Sequence, residues 1–298
     1  MKFVYSEQYD LNLGDHVFPS IKYRLIKEKL LRDGIAAPED FVEPPPASND
    51  DVALVHHREY IGKLQSGKLS YMEIMRLEIP YSPELVRAVW LSAGGSILAG
   101  RLALKDGVAV NVGGGFHHAY PDHGEGFCVL NDIAIGIRKL QKEKVIERAM
   151  TVDCDVHQGN GTAAIFGGDP TVFTLSIHQE HNYPYPKPPS SLDINLPDGV
   201  EDTEYLDELR KGLDAALGEI QPDLIAYVAG ADPYENDQLG GMKLSLAGLE
   251  RRDRLVFEKA RAKNIPVFVC LAGGYARRVE DTVQIHTNTM RLAKEFTK

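Results

Sequence analysis

Cysteine is scarce in this sequence, with three thiols in 298 residues (Cys128, Cys154 and Cys270) and no Cys-x-x-Cys spacing. An odd number of scattered thiols, two of them inside apolar runs, argues against a disulfide framework and reads as buried thiols in a reducing compartment. Basic residues are also short, 33 Lys and Arg against 43 Asp and Glu, for a formal net charge of -10. Phosphate binding wants a basic face, so direct nucleic acid binding is not expected, whereas a cationic substrate suits the balance. No apolar run approaches the ~20 residues that span a bilayer, so no membrane span is expected. The opening MKFVYSEQYD lacks the basic-then-apolar pattern of a signal peptide, and the expected location is cytoplasmic. Internal repeats and low-complexity tracts are absent. The single tryptophan, Trp90, falls on an apolar helical stripe and is expected in the core.

What is present is the composition of a folded domain, 43% hydrophobic and 26% charged. Short apolar runs ending in Gly or Asp recur: VAVNVGGG at 108–115, AMTVDCD at 149–155, TVFTLSIH at 171–178, LIAYVAGAD at 224–232 and VFVCLAGG at 267–274. These predict buried parallel strands. Helical patterns alternate with them, as where Tyr205, Leu206, Leu209, Leu213 and Leu217 follow Asp202, a plausible N-cap. The fold class predicted is α/β, a doubly wound parallel sheet with helices on both faces, and residues 1–298 are expected to form one domain. The first 80 residues resist such a reading. The PPP run at 44–46 predicts a surface loop, and YPYPKPP at 183–189 a rigid loop rather than a linker.

Ligands of open α/β sheets bind beyond the carboxyl ends of the strands, and here those ends are polar. The first run carries Gly113-Gly114-Gly115-Phe116-His117-His118, the second Asp153, Asp155 and His157, the fourth Asp232, and the fifth Gly273-Gly274-Tyr275. Alternate residues of an extended chain share a side, so Asp153, Asp155 and His157 can converge while Cys154 and Val156 face the core. Asp155, His157 and Asp232 together offer two carboxylates and an imidazole, a three-ligand set that leaves zinc a position for water. A lone Asp-x-Asp-x-His can equally be a helix cap, and Asp232 behind another strand is what favours the metal. The tandem His117-His118 after three glycines suggests proton transfer near neutral pH.

On the motifs NVGGGFHHAYPDHGEGFCVLNDIAI (111–135), VDCDVHQGNGT (152–162), AGADPYENDQLGG (229–241) and AGGYA (272–276), the chain resembles the histone deacetylase family within the arginase/deacetylase fold. The GGGFHH form and Asn160, where class I enzymes have aspartate, look most similar to the class IV branch and its bacterial relatives. The resemblance implies Zn2+, with Fe2+ also fitting, on Asp155, His157 and Asp232. It also implies His117 and His118 beside the reacting water, Asp153 paired to His117, Asn160 bonded to His118, and Tyr275 donating to the substrate carbonyl. His118 is the better candidate for general base, a division the sequence leaves open. The resemblance further implies a tube for the substrate stem formed by Phe127 and Tyr183, with Gly126, Leu239 and Gly274 as neighbours and Glu78 at the rim. A structural K+ is implied at Asp153, Asp155, His157, Ser176 and Ile177, and a second at Phe166, Asp169, Val172 and Tyr205. The implied partner is an acyl-lysine protein or peptide, or a small acylated amine.

An acetylpolyamine hydrolase is the main alternative, although Leu239 stands where a polyamine-selective relative has glutamate. A two-manganese ureohydrolase would want further aspartates at the fourth strand. An inactive acyl-lysine binding module would be expected to lack a ligand, a histidine or the tyrosine, and none is missing. Of the other histidines, His56, His57 and His286 are expected to be structural, the first two at a strand-to-helix junction. His16, His123, His178 and His181 are expected on loops near the rim.

Overall fold

A computed structural model describes residues 1–297. Its frame is one eight-stranded sheet of β1 (Phe3–Val4), β2 (Phe41–Val42), β3 (Val108–Asn111), β4 (Ala149–Asp153), β5 (Val172–Gln179), β6 (Leu192–Leu196), β7 (Leu224–Val228) and β8 (Val267–Cys270). Every pairing is parallel, and the strand order is β2-β1-β3-β8-β7-β4-β5-β6. The predicted parallel sheet is therefore observed, and its five expected strands occupy its centre. β1, β2 and β6 went unread because two-residue strands have no periodicity, while Leu192–Leu196 is an edge strand with mixed exposure behind a Pro-rich loop.

The central strands read as continuous apolar runs because both faces are covered. Along β7 and β8 the side chains alternate between two cores: Ile225, Tyr227, Val267 and Val269 enter one, and Leu224, Ala226, Val228, Phe268 and Cys270 enter the other. The second core lies against the long helix Pro83–Asp106 and the helix Asp132–Lys142, which meet where Gly100 faces Leu140. The long helix starts where the sequence says it should: Ser82 caps the Leu85 N–H at 3.1 Å, Pro83 holds the first helical position, and Gly107 ends it. Trp90 is buried in that helix and donates to Asn49 at 3.0 Å, as a core tryptophan with a polar handle. In the unread first 80 residues, Ser48 with Asp51 and Ser70 with Glu73 form capping boxes that start the short helices Asn49–Val52 and Tyr71–Leu77. Asp202 is the first residue of the helix Asp202–Glu219 rather than its cap, and its carboxylate instead accepts from Ser245.

The topology opens a crevice at the carboxyl ends. From β3 the chain runs on to β4, leaving a gap in the sheet that β8 and β7 later fill. Loops leaving these four central strands converge there, the switch-point arrangement that favours a ligand site.

Candidate active site

β4 ends at Asp153, and Asp155, Val156 and His157 lie in the bend beyond it, so the convergence expected from extended alternation is made by a turn. Asp153 Oδ1 accepts the Asp155 N–H at 3.1 Å, and Asp155 Oδ1 accepts the His157 N–H at 3.0 Å. These bonds fold the segment so that Asp155 and His157 face Asp232, four residues past β7. One ligand atom from each of the three lies within 4.8 Å of the others, and all three residues are buried. His157 Nδ1 points at both carboxylates, 3.0 Å from Asp155 Oδ1 and 3.5 Å from Asp232 Oδ2.

The donor set fits a cation. Asp232 Oδ1 accepts the Val156 N–H at 2.8 Å, but the equally buried Oδ2 has no hydrogen-bond partner among the described residues. Burial, then the nearby Asp155 charge, pushes the Asp232 carboxyl up to about 7. Burial opposes a charge on His157, yet the carboxylates of Asp155 and Asp232 raise it to about 10. Two buried carboxylates sharing one imidazole are short of positive charge, which a divalent ion supplies. Gly273 explains the neighbouring glycines: its N–H donates to Asp155 Oδ2 at 2.9 Å, and a Cβ there would sit 1.9 Å from Asp232 Oδ2.

The tandem histidines lie beside this cluster with ring centroids 4.0 Å apart, and their outer nitrogens meet different partners. His117 Nδ1 is 2.7 Å from Asp153 Oδ2, and His118 Nδ1 is 2.7 Å from Asn160 Oδ1. Burial would lower His117, but Asp153 and Asp155 outweigh it and raise the imidazole to about 9. His118 lacks such an anion; burial first, then His117 and His157, hold it well below its ordinary value. Two adjacent imidazoles are thereby driven apart, one cationic and one neutral near pH 7.

His118 and His157 open into a pocket of about 200 Å³ lined by Glu78, Gly126, Phe127, Asn182, Tyr183, Leu239 and Tyr275. Tyr275 is held from two sides: its N–H donates to Asp237 Oδ2 at 2.7 Å, and its ring packs on Phe127 and Phe18. Burial, then Asp155 and Asp232, raise its phenol well above the ordinary value, so it stays a donor. Tyr183 lies edge-on to His118 at 4.9 Å. Two of the lining residues hold left-handed backbone, with φ of +53° at Glu78 and +66° at Phe127, and Ala272, just before Gly273, holds +55°.

Several expectations need correction. Gly274 does not line the pocket; at φ +146° it packs behind it, where a Cβ would meet Thr282 at 2.8 Å. Tyr205 is not brought to the second cation group. Phe166 and Val172 belong to the core on one face of the sheet and Tyr205 to the core on the other, while the Asp169 carboxylate already pairs with Arg138 at 2.6 Å. For the first group, Asp153 and Ser176 are register partners across β4 and β5, with Ile177 next in line. His178, expected on a loop near the rim, is buried within β5 and bonded to Ser176 at 2.9 Å, because the strand runs one residue past the histidine to Gln179. His56 and His57 join two helices, not a strand and a helix, and buried His56 accepts the Asn131 N–H at 2.9 Å. His286 is buried, as expected. His16 meets the Glu78 carbonyl at 2.9 Å and stands edge-on to Phe127, His123 stands near Glu125, and His181 is exposed.

Sequence reasoning missed the residues that hold the loops. Asp132 accepts from Gly115 and Phe116 N–H at 3.0 and 2.9 Å and from Ser96 at 2.5 Å, which fixes the turn into His117. Lys22 is fully buried and donates to the Ala272 carbonyl at 2.7 Å, just before Gly273. Asp237 ties Leu239 and Tyr275 together. Asp132 lies within the quoted 111–135 motif, so a signal existed for it. Nothing in the pattern around Lys22 marks a buried amine.

Comparison with known proteins agrees with this geometry. The histone deacetylase domain model matches residues 16–290. Histone deacetylase 2 of Arabidopsis thaliana is 34% identical over 95% of this chain and 78% of its own length. A probable deacetylase of Methanothermobacter thermautotrophicus is 34% identical over 80% of this chain and 76% of its own. Among solved structures, an HDAC homologue complexed with SAHA is 25% identical with a TM-score of 0.82, covering 99% of this chain and 84% of that one. An HDAC homologue from Aquifex aeolicus, at 24% identity and a TM-score of 0.84 over 98% of this chain and 84% of that one, shares the fold. The tandem histidines, the buried carboxylate-imidazole cluster and a family match spanning most of the sequence lead to one conclusion: this chain belongs to the histone deacetylase family and is a hydrolase acting on amides.

Proposed function

We propose that the chain is a zinc-dependent amidohydrolase removing acetyl or related acyl groups from lysine side chains, with residues 1–298 acting as one catalytic domain. The observation that carries this reading is the pair of touching imidazoles beside the buried carboxylate cluster, His117 on the Asp153 carboxylate and His118 on the Asn160 amide, with His118 opening into an aromatic-walled pocket. Asp155, His157 and Asp232 would hold the ion. When bound, it supplies Lewis acidity toward the scissile carbonyl and makes a water acidic enough to be deprotonated near neutral pH. Neutral His118 takes that proton and returns it to the leaving amine. His117, kept cationic by Asp153, stabilises negative charge without titrating near pH 7. Tyr275 donates to the developing oxyanion, and the faces of Phe127 and Tyr183 suit a four-carbon stem. The adjacent ends of β4 and β5 are the candidate for a structural K+.

The absence of an acidic side chain at Leu239, which lines the pocket, favours acyl-lysine over a doubly charged acylpolyamine. The test is turnover of acetyl-lysine peptide, longer acyl-lysine peptides and acetylated polyamines by the zinc-loaded protein. Preference for a peptide supports the reading, and preference for the polyamine replaces it.

A further inference from the structure

A side-chain amide keeps its shape when its oxygen and nitrogen exchange places, so the orientation of Asn160 is fixed by the group on its far side. That group is Glu125. Asn160 Nδ2 donates to Glu125 Oε1 at 2.6 Å, while Asn160 Oδ1 faces His118 Nδ1 at 2.7 Å. The same Oε1 accepts from the Tyr183 hydroxyl at 2.8 Å, and His123 Nε2 lies 3.4 Å from Oε2. Glu125 cannot drift: Glu125 and Cys128 exchange backbone hydrogen bonds of 3.0 and 2.8 Å, and Cβ atoms at the flanking Gly124 and Gly126 would meet neighbours at 2.5 and 3.0 Å.

We infer that Glu125 is a positioning residue that sets the tautomer of His118 through Asn160. The step rests on reading His118 as the general base. An ionised carboxylate accepts and cannot donate, so the Asn160 NH2 must face it; the amide oxygen then faces His118 and demands a proton on Nδ1. The neutral ring is left with its lone pair on Nε2, the nitrogen not engaged by Asn160, which is the form able to take a proton from water. With the amide reversed, its NH2 would donate to Nδ1, the proton would move to Nε2, and the base would be blocked. Half burial pushes the Glu125 carboxyl up, yet bonds from His123, Tyr183 and Asn160 hold it below its ordinary value, so the acceptor role is kept. Tyr183 hangs on the same oxygen, so one carboxylate fixes both a pocket wall and the proton acceptor.

The test is long-range 1H–15N NMR of histidine in the zinc-loaded protein, with the His118 signals identified by their loss in His118→Gln. Wild type should show the proton on Nδ1. Glu125→Ala and Glu125→Met, the second keeping bulk without an acceptor should the first not fold, should move His118 toward the Nε2 proton. They should also lower kcat about tenfold with zinc retained, less than the roughly 10²–10⁴-fold that losing a general base outright would cost, because the tautomer is shifted and the imidazole is kept. Glu125→Gln, which can still present an oxygen to Asn160, should restore the wild-type spectrum. Tyr183→Phe should leave that spectrum unchanged, since it removes the wall's bond and not the amide's. A proton that stays on Nδ1 in a folded Glu125→Met protein, or that moves equally in Tyr183→Phe, overturns the inference. Wild-type protein with the expected tautomer but no turnover of any acylated amine would instead sink the proposed function and leave this inference standing.

Discussion

Two residues carry predictions of opposite kinds. In the proposed mechanism Tyr275 is one oxyanion donor, and its ring packs on Phe18 and Phe127 whether or not it carries the hydroxyl, so Tyr275→Phe should keep zinc and structure while kcat falls roughly 10²–10³-fold. An unchanged kcat would mean that the hydroxyl only packs. For Asn160, a carboxylate in place of the amide would meet Glu125 across the 2.6 Å now spanned by a hydrogen bond, so the clean comparison is Asn160→Asp in a Glu125→Gln background. His118 is now held well below its ordinary value, by burial and then by His117 and His157. An added anion favours the imidazolium and raises that value, so the base stays protonated to higher pH. The acidic limb of kcat/KM should therefore move to higher pH, and a profile that superimposes on the Glu125→Gln parent would take His118 out of that role. At this scale the sequence was most legible where a residue does its own chemistry. The pairings His117–Asp153 and His118–Asn160 were foreseen and are both 2.7 Å long. Glu125, Asp132 and Lys22 act through other residues; the first two lie within the quoted 111–135 motif, but no spacing tells what they touch, and nothing around Lys22 marks it at all.

At the scale of elements, the loops beyond β3, β4, β7 and β8 make the site, and glycine lets them approach. Gly273→Ala would place a methyl group against the carboxylates of both Asp155 and Asp232. The expected result is a folded protein, by circular dichroism, that binds zinc substoichiometrically; full zinc content would show that the loop relaxes. The central strands were legible because burial on both faces leaves uninterrupted apolar runs. The two-residue strands β1 and β2 were not, since they are defined by neighbours that lie far off in sequence, Phe3 beside Val110 and Phe41 beside Phe3. Tyr205 failed for a related reason: a helix residue was assigned to a cation group without knowing which face of the sheet it covers.

For the whole molecule, the buried acidic cluster links metal binding to pH. In the metal-free protein His157 is raised to about 10 and Asp232 to about 7, so both hold protons at pH 6 that an ion must displace. Apparent zinc affinity should rise with pH, with about one proton released per ion between pH 7.5 and 8.5 and closer to two near pH 6. Competition titration with a buffered chelator reads this slope, and an affinity independent of pH would mean that the ligand set is wrong. No helix among the described residues is long and apolar enough to cross a membrane. The most direct test of the account is acetate release from an acetyl-lysine peptide by wild-type and Asp232→Ala protein, each stripped of metal and then resupplied with one equivalent of zinc. The account predicts that stripping abolishes wild-type release, that zinc restores it, and that Asp232→Ala stays inactive with zinc unbound; release that survives stripping, or that Asp232→Ala retains, would contradict it.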